Sequence, residues 1–447
     1  MKRVIALVLA AMMLVAVFAS CGDSGSSDTS NGNSASGDAA STGKAGEGFD
    51  ANVSDADFGS ETNAKLKVWG PDAYIKLLTK QCDDFKKKFA DKNISIEIVP
   101  QSEDTAATMM QTDAKAGADV FGFASDQFSN LINAGILAPI NAKYAADIEA
   151  TNDKASVDIS KSTNQSTGKE ALYAYPETGN GYFLVYDKSV VSDKDAGSLE
   201  AILEACKKNG KKFIMDVGNG YYACMFIFTG GLRLEGTKDN KQLFNKYDPK
   251  EVAASMKAFS KLMHEYKGTF MSDAVTAIPS GFTSTSSRPS KVGAGIDGNW
   301  DTAGISKALG KNFGAAKLPT INIDGKDTQI YSMYGYKMIG VNANSKYPRT
   351  AQILGYYLAS EDCQMQRAKD LGWSPTNKKV IDSDVVKNDV AISALIEQSK
   401  YSIPQANVGP IWDPFKSLGN KLLADDTDPD TFDFEALLDQ VITNING

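Results

Sequence analysis

The stretch LKVWGPDAYIKLLTKQCDDFKKKF, Leu66 to Phe89, decides the fold class. Leu66-Lys67-Val68-Trp69 alternates at strand period, and Gly70-Pro71-Asp72 breaks it. Ala73 to Phe89 then places Ile75, Leu78, Cys82, Phe85 and Phe89 on one helical stripe. Working outward, Ile94 to Val99 predicts a second strand and Thr105 to Ala116 a helix. Ala118 to Phe123 predicts a third strand, and Asp126 to Ala134 a helix stopped by Gly135. This order, βαβαβα, predicts a parallel sheet covered by helices.

The alternation continues. Strands are predicted at Phe183–Tyr186, Lys212–Met215 and Lys337–Val341. Helices are predicted at Ser198–Lys208, Tyr222–Thr229, Glu251–Tyr266, Arg349–Ala359 and Phe432–Ile445. Residues 63–447 are enough for two α/β lobes, with a ligand site in the cleft beyond the carboxyl ends of strands.

The N-terminus reads as an address. Lys2 and Arg3 precede an apolar run, Ile5 to Phe18, shorter than the about 20 residues of a membrane span and suited to a secretory signal. The run ends Phe18-Ala19-Ser20-Cys21, which resembles a bacterial lipobox, although Phe18 stands where Leu, Val or Ile is usual. A signal peptide over 1–20 and lipidation of Cys21 are expected; plain secretion is the alternative. From Gly22 to Glu61, eight carboxylates stand against Lys44 among Gly, Ser, Ala, Asn and Thr. Such a segment offers little apolar surface against the entropy of ordering, so 21–62 is expected to be a flexible acidic tether.

That tail carries most of the net charge of −8. The acidity therefore says little about a binding site, and no basic face points to nucleic acid. A single histidine, His264, excludes a multi-histidine metal site, and the composition leaves only that residue as base for a nucleophile–histidine–acid set. His264 reads as a surface or boundary residue. Five cysteines without a C-x-x-C pair exclude the common zinc and thioredoxin signatures. No cofactor, no metal and no catalytic residue is expected. Cys82, Cys206, Cys224 and Cys363 are read as free thiols, Cys224 lying in an apolar run.

Two motifs look like sites and are not read as such. Gly293-Ala294-Gly295-Ile296-Asp297-Gly298 matches G-x-G-x-x-G, but no carboxylate stands at the position a dinucleotide ribose needs. A tight strand-to-helix turn beside a cleft is expected there. Asp426, Asp428 and Asp430 imitate a calcium loop, but Thr431 stands where Gly is required and Leu437 where Glu is. That loop is expected to cap the last helix.

Aromatic residues at turns say more. Trp69, Phe123, Tyr175, Tyr221, Tyr222, Trp300 and Trp412 lie at strand ends or beside Gly, Pro or Asp, close in sequence to Asp72, Asp126, Gln127, Asn180 and Asp301. Apolar ring faces beside carboxylates and amides suit sugars, which stack through C–H faces and bridge polar groups through hydroxyls. Any one of these rings alone is as readily a core residue.

Several stretches in order carry a resemblance. They include Leu66–Trp69, Ala124–Phe128 running to Leu137, Ala174-Tyr175-Pro176 leading to Val185–Lys188, and Ile296–Trp300. Lys317–Thr320, Gly372–Thr376 and Ile403-Pro404-Gln405 with Trp412 beyond complete them. The chain resembles the carbohydrate-type extracellular solute-binding proteins of ABC importers, most of all the maltose- and maltodextrin-binding proteins. The resemblance implies two α/β lobes, 63–178 plus 330–378 and 179–329 plus 379–447, closing over ligand by a hinge. By position it implies Asp126 as acceptor of sugar hydroxyls and Trp300, Trp412 and Tyr221 as stacking rings. Asp72 lies near a family aspartate and Glu103 near a family carboxylate. Tyr175 opens the Ala174-Tyr175-Pro176 stretch, and Asn180 stands where the maltose binders have a glutamate. Phe123 replaces a family tryptophan, and Gln127 and Lys416 replace arginines. Two planar bidentate donors are thus absent, which leaves the identity of the sugar less constrained than its class.

The function implied is capture of malto-oligosaccharides and their delivery to the transmembrane subunits of an ABC permease, by a monomer held to the membrane through its lipid alone. A differently linked sugar, a secreted glycosidase and a sensor binding protein remain the alternatives, and turnover separates the enzyme from the binders.

Overall fold

Leu66 and Val68 alternate with more exposed neighbours, and β1 (Lys65–Gly70) forms there with one face buried. The computed structural model describes residues 43–164, 167–238, 241–285, 287, 289–406 and 408–447; the expected signal peptide and Cys21 lie outside them. Pro71 ends β1, and α1 (Asp72–Lys88) buries Tyr74, Leu77, Leu78, Cys82 and Phe85. β2 (Ser95–Pro100) and β3 (Val120–Ala124) pair in parallel with β1 on either side. The helix between them is shorter than expected, Ala106–Thr112. Asp113 Oδ1 accepts from the backbone N–H groups of Lys115 and Ala116, a local turn that competes with further helix.

The main sheet continues with β4 (Ala174–Asp187), β5 (Lys212–Met215), β6 (Phe270–Ser272), β7 (Val292–Gly298), β8 (Phe313–Ala316), β9 (Ser332–Val341) and β10 (Ser402–Pro404). Among the described residues its ten strands run in the order β6-β5-β7-β4-β9-β3-β1-β2, with β8 beside β4 and β10 beside β9. The sheet is mixed, which corrects the parallel arrangement expected from the sequence. β9 is antiparallel to β3 and to β4, and β7 and β8 are antiparallel to β4.

All 14 residues of β4 are buried. Ala174 to Gly181 pair with β9, and Tyr182 to Tyr186 with β7. The sequence reading places a strand only at Phe183–Tyr186; Pro176, Gly179 and Gly181 interrupt the apolar pattern before it. Pro176 lies opposite Met338, where the register slips between Lys337 and Met338, and a bulge tolerates proline. A Cβ on Gly179 would lie 2.2 Å from the Tyr334 hydroxyl, so this glycine marks a close approach.

Two large apolar cores result. One gathers Leu66, Val68, Phe85, Tyr175, Ile339, Tyr356 and Trp373. The other gathers Tyr182, Leu184, Phe213, Phe226, Met256, Phe415 and Leu438. The arrangement is α/β and two-lobed, and β4 feeds both cores. In the second, α2 (Pro249–Glu265) starts on an Asp248 cap and buries Val252, Met256, Phe259 and Met263. On the same helix the half-buried His264 sets its ring nitrogens 2.8 Å and 3.2 Å from the carbonyls of Ser260 and Ala424. The four cysteines are buried and free, and burial pushes the thiols of Cys82, Cys206 and Cys224 up to about 12.

Two motif readings change. Gly293 to Gly298 is strand, not turn. The last helix, α3 (Phe434–Asn446), is capped by Asp433, while Asp428 accepts from the backbone of Asp430 and the hydroxyl of Thr431.

The expected tether also ends earlier than position 62. Phe58 is fully buried and Phe49 nearly so, and both contact Phe89, with Phe49 also against Tyr356 and Tyr357. The N–H groups of Gly46 and Gly48 donate to Asp147 Oδ1, and Glu61 accepts from Thr350. Two phenylalanines far apart in a polar stretch show no periodicity; their partners come from distant chain. Phe58→Ala is expected to lower unfolding stability by about 3–5 kcal/mol, read from the urea midpoint. A free tether would make the substitution silent.

Candidate ligand-binding cleft

Turns beyond the carboxyl ends of β3, β5, β7 and β10 converge, as ligand sites in such sheets require. β3 runs into the 3-10 turn Ser125–Gln127, which carries Asp126. β5 leads through Asn219, whose side chain accepts from the Tyr221 N–H, into the short helix Gly220–Ala223. β7 ends at Gly298. Asn299 then ties the following turn to β4, donating from its side chain to Gly179 O and from its backbone to Gly181 O. That turn presents Trp300 and Asp301. A Cβ on Gly298 would lie 2.1 Å from the Trp300 ring, so glycine there lets the indole fold back over the strand end. β10 leads to Gln405, and beyond it the helix Trp412–Leu423 opens on Trp412 itself.

The rings form a cluster. The Tyr221 centroid lies 6.2 Å from Trp300, 6.1 Å from Trp412 and 5.0 Å from Tyr182. Lys337 Nζ stands 5.7 Å from the Trp300 ring and 5.0 Å from that of Trp373, and 2.8 Å from Glu103 Oε2. Asp126 faces the same cluster. Burial pushes its carboxyl up to about 6, against donors on the side chains of Gln405 and Trp412 that hold it down. Burial also raises Asp297 well above the usual carboxylate range, helped by neighbouring Asp301. The Gly298 N–H donates to Asp297 Oδ1, while Asp297 Oδ2 is buried without a hydrogen-bond partner.

Polar atoms without a protein partner concentrate here. Asp126 Oδ1, Asn180 Oδ1, Glu103 Oε1, Gln405 Oε1 and the hydroxyls of Tyr221 and Tyr222 are all buried and unpaired. Each such group costs free energy unless something else pairs it.

Of the expected site residues, Asp126, Tyr221, Trp300 and Trp412 come together, with Glu103 and Asn180 on the floor. Others do not join them. Phe123 is fully buried in a core with Phe121 and Met338, and Tyr175 is fully buried with its hydroxyl on Gln352, so neither ring faces a ligand. Gln127 is spent on structure: its amide donates to the carbonyls of Glu103 and Asp104 and accepts from the Ala107 N–H. Asp72 is exposed at the start of α1, and Lys416 is exposed beside Asp216. Lys337, Gln405 and Asp297 were missed as site residues. Their signal was a lysine and an aspartate inside apolar strands and an amide just past one.

The family model for bacterial extracellular solute-binding proteins matches residues 80–394. The chain belongs to that family. Among relatives of this solute-binding protein, a galactooligosaccharide-binding protein of Bacillus subtilis (strain 168) is 25% identical over 407 residues, covering 87% of this chain and 90% of the relative. A maltotriose-binding protein of Pyrococcus abyssi (strain GE5 / Orsay) is 23% identical over 389 residues, covering 83% and 80%. A solved structure described as being with acarbose superposes with a TM-score of 0.74 at 27% identity, covering 86% of this chain and 99% of its own. Among the described residues of the solute-binding protein, no helix is long and apolar enough to cross a membrane.

The raised pKa of Asp126 has a consequence for stability. The folded chain holds this proton up to about pH 6, whereas an unfolded aspartate releases it near about pH 4. The contribution to stability therefore falls as pH rises from about 4 through 6. Asp126→Asn is expected to stabilise the free protein by about 1–3 kcal/mol at pH 7 and to lose that gain at about pH 4, in urea titrations at both values.

Proposed function

We propose that this solute-binding protein is a lipid-anchored receptor that captures oligosaccharides, malto-oligosaccharides first, and delivers them to an ABC permease. The observation that carries the reading is the set of unpaired buried polar atoms around Tyr221, Trp300 and Trp412. Ring faces stack on the C–H faces of a pyranose, and its hydroxyls pair acceptors that the protein leaves open. The maltotriose-binding relative and the solved structure with acarbose support an α-glucan ligand.

The lobes are taken as 63–178 plus 330–378 and 179–329 plus 379–447, meeting along β4 and β9. Asp126 belongs to the first lobe and Tyr221, Trp300 and Trp412 to the second, so a sugar held by both favours the closed form through contacts that the open form lacks. The permease then reads the closed pair of lobe surfaces, and no bond in the sugar is broken. Cys21 supplies the membrane anchor.

A second reading has its own support. The galactooligosaccharide-binding relative supports a galacto-oligosaccharide in place of a malto-oligosaccharide.

Calorimetry against maltose, maltotriose, longer maltodextrins, galacto-oligosaccharides, cellobiose and a peptide separates these readings, with mass analysis of the recovered sugar. Malto-oligosaccharides are expected to bind and return intact. Trp300→Ala and Trp412→Ala should each weaken binding about 10- to 100-fold, the effect of removing a central aromatic anchor. Binding of galacto-oligosaccharides alone would move the substrate to the second reading, and shortened products would make the protein a glycosidase.

A further inference from the structure

The unpaired atoms of the cleft differ in kind as well as in place. Glu103 Oε1, Asp126 Oδ1, Asn180 Oδ1, Asp297 Oδ2 and Gln405 Oε1 are five carboxyl or amide oxygens. The hydroxyls of Tyr221 and Tyr222 can turn to donate or accept. Among the described residues, the buried nitrogen donors without a partner are Arg367 Nε and Nη2 and Trp373 Nε1. Both side chains pack inside the first core against the Tyr74 ring, at 5.5 Å and 5.3 Å.

The positive charges nearest the cleft are each offset. Lys337 is 2.8 Å from Glu103, Arg367 is 3.9 Å from Glu177, and Lys416 lies beside Asp216. Among the described residues, the fully buried unpaired atoms of the cleft are thus oxygens, and the ammonium and guanidinium groups nearest to it face carboxylates.

We infer that the cleft selects its sugar through the sugar's donors: it takes oligosaccharides that are neutral or carry a basic amino group, and rejects those carrying a carboxylate or phosphate. This rests on the sugar-binding reading above. Each hydroxyl brings one donor to an acceptor-lined wall. An ammonium brings three donors and a charge opposite to that of Asp126. A carboxylate or phosphate brings acceptors only, loses its hydration, and meets carboxylate oxygens in return. The selection works by repulsion as much as by fit.

Matched trisaccharides test this by calorimetry at about pH 7.5, where Asp126 is ionised. The set is maltotriose and galactotriose, each also with a 6-carboxylate, a 6-amino group or a 6-methyl ether on the terminal unit, the ether controlling for bulk. The neutral parent that binds is expected to be matched or exceeded by its amino form, and its carboxylate to bind at least about 30-fold more weakly than the ether. Asp126→Asn should narrow the gap between amino and carboxylate forms about tenfold, whereas Trp300→Ala should weaken all forms alike, because stacking is blind to that charge. A carboxylate that binds within about threefold of its ether overturns the inference and leaves the sugar reading standing. Failure of every trisaccharide to bind overturns both.

Discussion

The pairing of β4 with β9 through one half and with β7 through the other is the constraint on which the rest depends. β4 is buried along its whole length, so each of its backbone N–H and C=O groups must find a partner inside the protein. One half meets that demand against β9, beside the first core, and the other half against β7, beside the second. The strand therefore cannot stop between the lobes without leaving backbone polar groups buried and unpaired. Continuity across the junction fixes where the turns after β3 and β7 stand relative to each other. The Asn299 side chain, held on Gly179, ties the Trp300 turn directly to this strand.

The bulge at Lys337 and Met338 is the second consequence of that pairing. Tyr334 and Tyr336 pack edge to face, while Lys337 reaches Glu103 and stands over Trp300 and Trp373. Placing a lysine where it is almost fully buried is costly unless a carboxylate meets it with good geometry, and the 2.8 Å contact with Glu103 supplies that. Glu177 and Arg367 repeat the arrangement one step deeper, at 3.9 Å. Burial raises the Glu177 carboxyl while Arg367 pulls it down, so the inner pair is the looser one. Lys337 lies on β9 and Glu177 on β4, so a one-residue slip of either strand would turn its charge away from Glu103 or Arg367.

The α/β alternation was legible because it depends on local pattern: β1, α1, β2 and the Glu251 helix fall where strand and helix periods put them. The direction of the strands was not. Nothing local in Ala174 to Gly181 announces a strand, since its proline and glycines are explained only by Met338 and Tyr334 across the sheet. Phe58 was misplaced for the same reason, its partners lying far along the chain. In the site, Trp300 in the turn after β7 and Trp412 at the start of a helix stand 6.2 Å and 6.1 Å from the Tyr221 ring, in the turn positions that the sequence pattern marks. Phe123 and Tyr175 lie within strands, where the alternation of faces, invisible without the neighbouring strands, sends them inward. Gln127 looked available because its type suits a ligand, yet backbone groups 20 or more residues away had already taken its amide.

On the proposed reading, recognition and closure depend on the same atoms. Asp126 reaches the second lobe through Trp412 and shares its surroundings with Tyr221, so its desolvation accompanies the approach of the two sides. A ligand with donors offsets that desolvation, and a ligand without them adds to it. The free energy that distinguishes one sugar from another is thereby also the free energy that distinguishes the closed form from the open one, since a ligand shifts such an equilibrium only by its differential affinity for the two states. An anionic sugar would be disfavoured twice, at the carboxylates it meets and in the conformation it fails to stabilise.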